Sequence, residues 1–402
     1  MGRWPIGASA NRSQIQDGAV RMFALSGAQG ALIAEGVVDS ITDASTSRLD
    51  EQVRAWFGGA DRADALLVGA IAFDRTVSPI LYRPARVVRG DAAMLDRYFA
   101  PTRRAPAARA EVFADPSPGD YAKMVGEALG RIDRGLFAKV VLARGLHVDA
   151  ASIDLPAVAA RLAADPTVTA FLLDLPPETP EQRHALVGAT PEQLVSRRGE
   201  RIFSNPLAGS ARRSEDAALD RAAGEKLLAS DKDRREHGFV VDYIMDMLAP
   251  YCSELRAGPG PALQSTATMW HLGTRIEGRL RGGDGPGAAG LAALLHPTPA
   301  VGGVPLDAAL SAISDIETHD RGFYAGAIGW TDAKGDGDWY VTLRCAEIRG
   351  NRLTLHAGAG IVAGSDPADE VAETDAKFRA MLRALDLDGA EMEQGALSWQ
   401  SR

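Results

Sequence analysis

"GFYAGAIGWTDAKGDGDWYVTLRCAEIRGNRLTLHAGAGIV", residues 322–362, is dense in β-branched and aromatic residues and is interrupted by "AKGDGD" and "RGN". That pattern predicts three strands joined by tight turns, which pair antiparallel. Within "WYVTLRCAEI" the residues Tyr340, Thr342, Arg344 and Ala346 alternate with Trp339, Val341, Leu343 and Cys345. Arg344 is the odd member of its face: an arginine in the middle of such a strand needs a buried anion, and its fork suits a carboxylate of a ligand or of the protein. The plainer alternatives are an internal ion pair or an edge strand facing water. Directly behind the strands, "SDPADEVAETDAKF" reads as an acidic helix.

Working outward, "DYAKMVGEALGRIDRG" has helical spacing ended by glycine, and "FAKVVLARGLHV" is β-branched enough for a strand. "RIFSNPLAGSARR" reads as strand then loop, "KDRREHGFVVDYIMDMLAPY" as a long amphipathic helix, and "GPGPALQ" and "RGGDGPGAAG" as breaks. The Pro/Arg/Ala-rich "APTRRAPAARAEV" suggests a surface connection, which divides the chain into an N-terminal α/β part, 1–105, a main region, 106–395, and a tail, 396–402. No repeat of solenoid period is present. The expected class is α+β, with mainly antiparallel strands and helices packed outside.

With 402 residues, 46% hydrophobic and 24% charged, the chain has material for a real core. Its net charge of -9, without a Lys/Arg block interleaved with aromatics, argues against a nucleic-acid partner. Cys252 and Cys345 stand far apart and outside metal-ligand spacing, so neither a disulfide framework nor a zinc site is indicated. No stretch is apolar for the length of a membrane span, and the first residues lack a signal-peptide pattern. The expectation is a cytoplasmic protein without a membrane partner.

Several constellations carry chemical potential. Asp233 and Glu236 are three residues apart, as are Glu370 and Glu373, so each pair shares a helical face, and two such faces meeting would suit Mg²⁺. The plainer reading is solvated faces with pairs such as Glu373 and Lys377. Gly358 and Gly360 weaken a strand unless a ligand or another segment approaches closely; a bulge would also account for them. Lys139 is flanked by Phe137, Val140, Val141 and Leu142. A buried lysine there could act as a general base, although on strand logic alone the polar face of a strand is the simpler reading. Glu192, just after a Gly/Pro turn, could be a general acid or an early helix residue.

The order and wording of the blocks go further. "GATPEQL", "NPLAGSARR", "KDRREHGFVVD", "HLGTRIEG", "LLHPTPAVGGVP", "DRGFYAGAIGW", "VTLRCAEI" and "AGAGIVAGSDPADEVAETDAKF" resemble, over roughly residues 110–390, the successive blocks of the Mg²⁺-dependent chorismate-utilising enzymes. The resemblance implies a two-layer core of large antiparallel sheets and chorismate as a small-molecule substrate, with Mg²⁺ as cofactor. It implies a monomer. By matching position, Glu236 and Glu373 would ligate Mg²⁺, supported by Asp233 and Glu370. Gly209, Gly358, Gly360 and Lys377 would surround the ring carboxylate. Arg344 and Tyr324 would hold the enolpyruvyl carboxylate, and His271 would line the pocket.

In the same likeness Lys139 matches a lysine that activates water and Glu192 an acid that protonates a departing hydroxyl. Members that use ammonia carry glutamine at the position of Lys139, and aminodeoxychorismate synthases carry a lysine where Ala208 stands. The branch implied is therefore isochorismate formation, an isomerisation. Salicylate synthase is the alternative within the family: Ala300 matches isochorismate-forming members, whereas Tyr324 and Leu343 resemble salicylate synthases more. A non-catalytic chorismate-binding subunit is the alternative of another class, and it would not require acid, base and metal ligands together.

Overall fold

Phe23 and Leu25 point to one side of the strand Met22–Gly27 while Met22 and Ala24 point to the other, and both sides are buried. The same division recurs in Thr169–Asp174, where Phe171 and Leu173 oppose Ala170 and Leu172. Strands alternate with a period of two, so a sheet covered on both faces must be apolar at consecutive positions. These strands belong to such a sheet. In the computed structural model, which describes residues 21–59, 62–99, 110–150, 153–177, 179, 182–282, 285–385 and 387, a ten-stranded and a nine-stranded antiparallel sheet enclose one core between them. A further core lies between the ten-stranded sheet and helices on its outer face, among them Leu155–Ala163 and Pro367–Ala384. The α+β, two-layer expectation holds. Each large apolar side chain buried in these cores contributes about 1.5–3 kcal/mol.

N-terminal strands lengthen both sheets. Met22–Gly27, Gly30–Glu35 and Arg86–Gly90 extend the ten-stranded sheet, while Leu66–Ile71, Ile80–Arg83 and Asp39–Ile41 extend the other. The connection around residue 105 and the tail 396–402 lie outside the described residues.

The segment 322–362 makes four strands where three were expected: Ala327–Asp332 and Gly337–Val341 in the nine-stranded sheet, then Cys345–Arg349 and Arg352–Val362 in the ten-stranded one. The chain changes sheets at Thr342–Leu343–Arg344, and Arg344 takes the left-handed conformation, φ 46°. Arg344 is therefore at a crossing, not in mid-strand. The alternation of side chains continues through "YVTLRCAE", so nothing local betrays the break. "NPLAGSARR" also departs from expectation. Leu207–Arg212 is a strand paired with Met269–Gly273 in a small three-stranded sheet, which "ALQS" completes. Its loop-like composition reflects a register shift between Ala208 and Ser210, with Gly209 at φ 77°.

The longest pairing joins Lys139–Ala150 to Arg352–Val362 without a shift, from Arg352 opposite Asp149 to Val362 opposite Lys139. No bulge therefore explains Gly358 and Gly360. On the outer face of this pair Arg144 is fully buried: its Nε donates to Thr374 Oγ1 at 2.8 Å, it pairs with Asp375, and its guanidinium lies near the rings of Tyr121 and Phe378. That arginine fastens helix Pro367–Ala384 to the sheet.

Candidate active site

Three crossings between sheets converge on one cavity that opens to solvent. At the first, Thr190 ends a strand of the ten-stranded sheet, Gln193 begins one of the nine-stranded sheet, and Glu192 lies between them. At the second the chain leaves Asn205 for the small sheet through Leu207, Ala208 and Gly209. The third carries Leu343 and Arg344. Backbone leaving a sheet presents side chains at the seam instead of into either core, which is why these residues reach the cavity.

The floor is the long strand pair. Cross-strand partners share a face, so Lys139, Val141 and Ala143 lie on the same side as Val362, Gly360 and Gly358. A methyl group on Gly360 would stand 2.2 Å from Glu236 Oε1, and one on Gly358 3.1 Å from the Tyr324 hydroxyl. Both glycines are thus explained by close approach. One wall is helix Asp231–Leu248, capped by Ser230, whose Oγ accepts from the Asp233 amide. The other is helix Pro367–Ala384, with proline in its first turn and Asp366 accepting from the amides of Ala368 and Asp369.

The two acidic helices do meet across the cavity, though not as four convergent carboxylates. Glu236 and Glu373 line it; Glu370 is buried against Lys232 at 2.9 Å, and Asp233 packs beside Gly209. Among the described residues no three acidic, histidine or cysteine side chains converge as a metal cluster. Each glutamate instead faces a lysine: Glu236 Oε1 lies 3.0 Å from Lys139 Nζ, and Glu373 Oε1 accepts from Lys377 at 2.6 Å and from Ser210 Oγ at 2.8 Å. Burial works against the charge of Glu373, but the Lys377 ammonium and the two hydrogen bonds hold its carboxyl below the usual range. Burial and the neighbouring Glu373 charge push Glu370 up. Two hard oxygen donors on one cavity fit Mg²⁺, which takes one or two protein carboxylates and fills its other positions with water and ligand oxygens.

Lys139 is completely buried behind the cavity lining, which it meets through Glu236, and its Nζ has no well-aligned hydrogen bond to any described residue. Glu192, also buried, has its carboxyl pushed up to about 8 by desolvation, against the opposing pull of the Leu207 amide and of the Lys139 and Lys377 charges. It therefore holds a proton at neutrality. Lys377 Nζ also donates to the Gly358 carbonyl at 2.9 Å, which fixes it over the floor.

Among the described residues Arg344 has no carboxylate against it. Its Nη1 donates to Thr266 Oγ1 at 3.0 Å and its Nη2 to His271 Nε2 at 2.6 Å, both neutral acceptors. Burial pulls its pKa down to about 10, opposed by the charge of Asp165. His271 stays neutral because burial, Arg344 and Lys377 all disfavour its charged form. Tyr324, Ala300 and Leu343 complete the lining.

Three contributors escaped the sequence reading. Ser210 holds Glu373, Thr266 holds Arg344, and His356 lines the cavity between the rings of Tyr324 and His319, with centroids 5.2 and 5.1 Å away. His356 was open to discovery, being two and four residues before Gly358 and Gly360 on one face of a strand. Thr266 gave no local signal.

Such a cavity accepts a small molecule bearing carboxylates, and the class it defines is that of enzymes acting on such acids by proton transfer. The chain belongs to the chorismate binding enzymes: residues 88–386 match the family described as "Chorismate binding enzyme". It is 40% identical to isochorismate synthase DhbC of Bacillus subtilis, over 91% of this chain and 94% of that protein. It is 38% identical to isochorismate synthase EntC of Escherichia coli K12, over 86% and 88%. The structure of the menaquinone-specific isochorismate synthase MenF of Escherichia coli superposes with a TM-score of 0.77 at 27% identity, covering 91% of this chain and 88% of that one.

Proposed function

We propose that this protein is an isochorismate synthase, an isomerase that adds water at C2 of the chorismate ring and expels the C4 hydroxyl. The observation that carries the reading is Glu192, a buried carboxyl that keeps its proton at neutrality on the wall of a cavity behind which Lys139 lies buried, 3.0 Å from the lining Glu236. Addition at one ring carbon and loss at another need a base on one side and an acid on the other. Lys139, paired as an ammonium with Glu236, acts as the base once it has given that proton to solvent: it takes one from the attacking water and regains the charge that Glu236 balances. Glu192 delivers its proton to the departing hydroxyl.

Arg344, which pairs with no carboxylate among the described residues, holds the enolpyruvyl carboxylate, assisted by Tyr324. The ring carboxylate lies toward Lys377 and the backbone of Gly209, Gly358 and Gly360. Glu236 and Glu373 would hold Mg²⁺, supported by Asp233 and Glu370. Bound there, the ion would act as a Lewis acid on the ring carboxylate. His271 keeps Arg344 in place, and Ala300 and Leu343 give the pocket its shape. The enzyme acts in the cytoplasm as a monomer, without nucleic-acid or membrane partners; no helix among the described residues is long and apolar enough to cross a membrane.

Tyr324 and Leu343 favour a second reading, in which the enzyme goes on to eliminate pyruvate and release salicylate. Chromatography of products from chorismate and Mg²⁺ separates the two. Isochorismate in equilibrium with chorismate, lost in Lys139→Ala and without metal, is the expected result. Accumulation of salicylate and pyruvate would transfer the assignment to salicylate synthase. Turnover only with an amine donor would remove Lys139 from its role.

A further inference from the structure

Beside the cavity runs a groove lined by Arg212, Arg213, Arg379 and Arg383, with Glu215 as the one carboxylate among its described lining residues. Arg213 is neutralised by Asp220 at 2.8 Å. Arg212, Arg379 and Arg383 have no carboxylate partner among the described residues.

The groove shares its walls with the active site. Arg212 follows Ser210 by two residues on one strand, and Arg379 follows Lys377 by two on one helix. Ala376, Arg379 and Arg383, spaced i, i+3 and i+7, form a stripe next to the one that carries Glu373 and Lys377. Between groove and cavity stands the turn at Thr266. Its hydroxyl accepts from Arg344 at 3.0 Å on the cavity side, its carbonyl accepts from Arg213 at 3.1 Å, and the next two residues, Ala267 and Thr268, line the groove.

A dicarboxylate approaching a protein of net charge -9 is repelled over about a Debye length, ~10 Å at 0.1 M salt. Arg212, Arg379 and Arg383, unpaired among the described residues and outnumbering Glu215, reverse that field locally beside the cavity, and grooves of one prevailing sign concentrate oppositely charged ligands. We propose that this groove gathers the dicarboxylate substrate and feeds it to the cavity, an inference that rests on the reading of the cavity as a chorismate site.

The experiment measures kcat and KM for chorismate with Mg²⁺ across ionic strength in wild type, in R379Q/R383Q, and in R48Q/R97Q, whose exposed arginines sit on N-terminal elements that contribute nothing to either lining. In R379Q/R383Q, kcat/KM should fall about 5–20-fold at low salt, with kcat unchanged, and should converge on wild type near ~0.5 M salt, where the field is screened. R48Q/R97Q should follow wild type throughout. Equal kcat/KM in R379Q/R383Q and wild type at every salt, or a loss of constant size at every salt, overturns the inference while leaving the active site as assigned. A wild type inactive on chorismate overturns the reading of the cavity, and the inference with it.

Discussion

Glu192 couples the chemistry to pH. With its carboxyl pushed up to about 8 by burial, it loses its proton as pH rises through that value, so turnover should decline on the same limb. E192Q should turn over ~10²–10⁴-fold more slowly, and its residual rate should lack the limb; steady-state rates against pH test this. Stability carries the same signature with a defined sign. An unfolded glutamate releases its proton near ~4.3 while the folded one keeps it, so the native state loses stability between about pH 5 and pH 8. E192Q should melt above wild type by a margin that widens across that window. Neither the burial of Glu192 nor that of Lys139 was legible in the sequence. On local pattern Lys139 belonged to a polar face and Glu192 to an early helix turn, because burial arises from the long-range pairing of strands and crossings. The wording of whole motif blocks was what singled them out.

Elements were easier to read than their connections. The helices Asp231–Leu248 and Pro367–Ala384 and the long strands followed from periodicity and turn chemistry, whereas the caps Ser230 and Asp366 came from the structure. The crossing at Thr342–Arg344 did not, because a chain can change sheets without interrupting its alternation. Two outcomes belong to this scale. Gly360→Ala would place a methyl 2.2 Å from Glu236 Oε1, so it should displace that carboxylate and cut turnover by ~10²-fold, with Mg²⁺ affinity weakened in calorimetric titration. A circular dichroism spectrum unchanged from wild type would show that the sheet persists. Arg144→Ala removes the buried link between the long strand and helix Pro367–Ala384 and leaves Asp375 without its partner. It should cost about 3–5 kcal/mol in denaturant unfolding, with hydrogen exchange quickened first in that helix.

At the scale of the molecule, Lys139 and Lys377 neutralise the carboxylates Glu236 and Glu373, so a cation alone must compete with two ammonium groups. Mg²⁺ without chorismate should therefore shift the melting temperature little, and both together should shift it more than the sum of their separate effects. Independent shifts would argue against a shared site. The crossings have a consequence for how the active molecule comes into being. Glu192, Gly209 and Arg344 hang from joints between sheets, so neither large sheet, folded by itself, assembles the machinery. Catalysis is a property of the docked pair, and in a refolding experiment its return would time the moment when the two sheets close on one another, after the circular dichroism of the strands has already recovered.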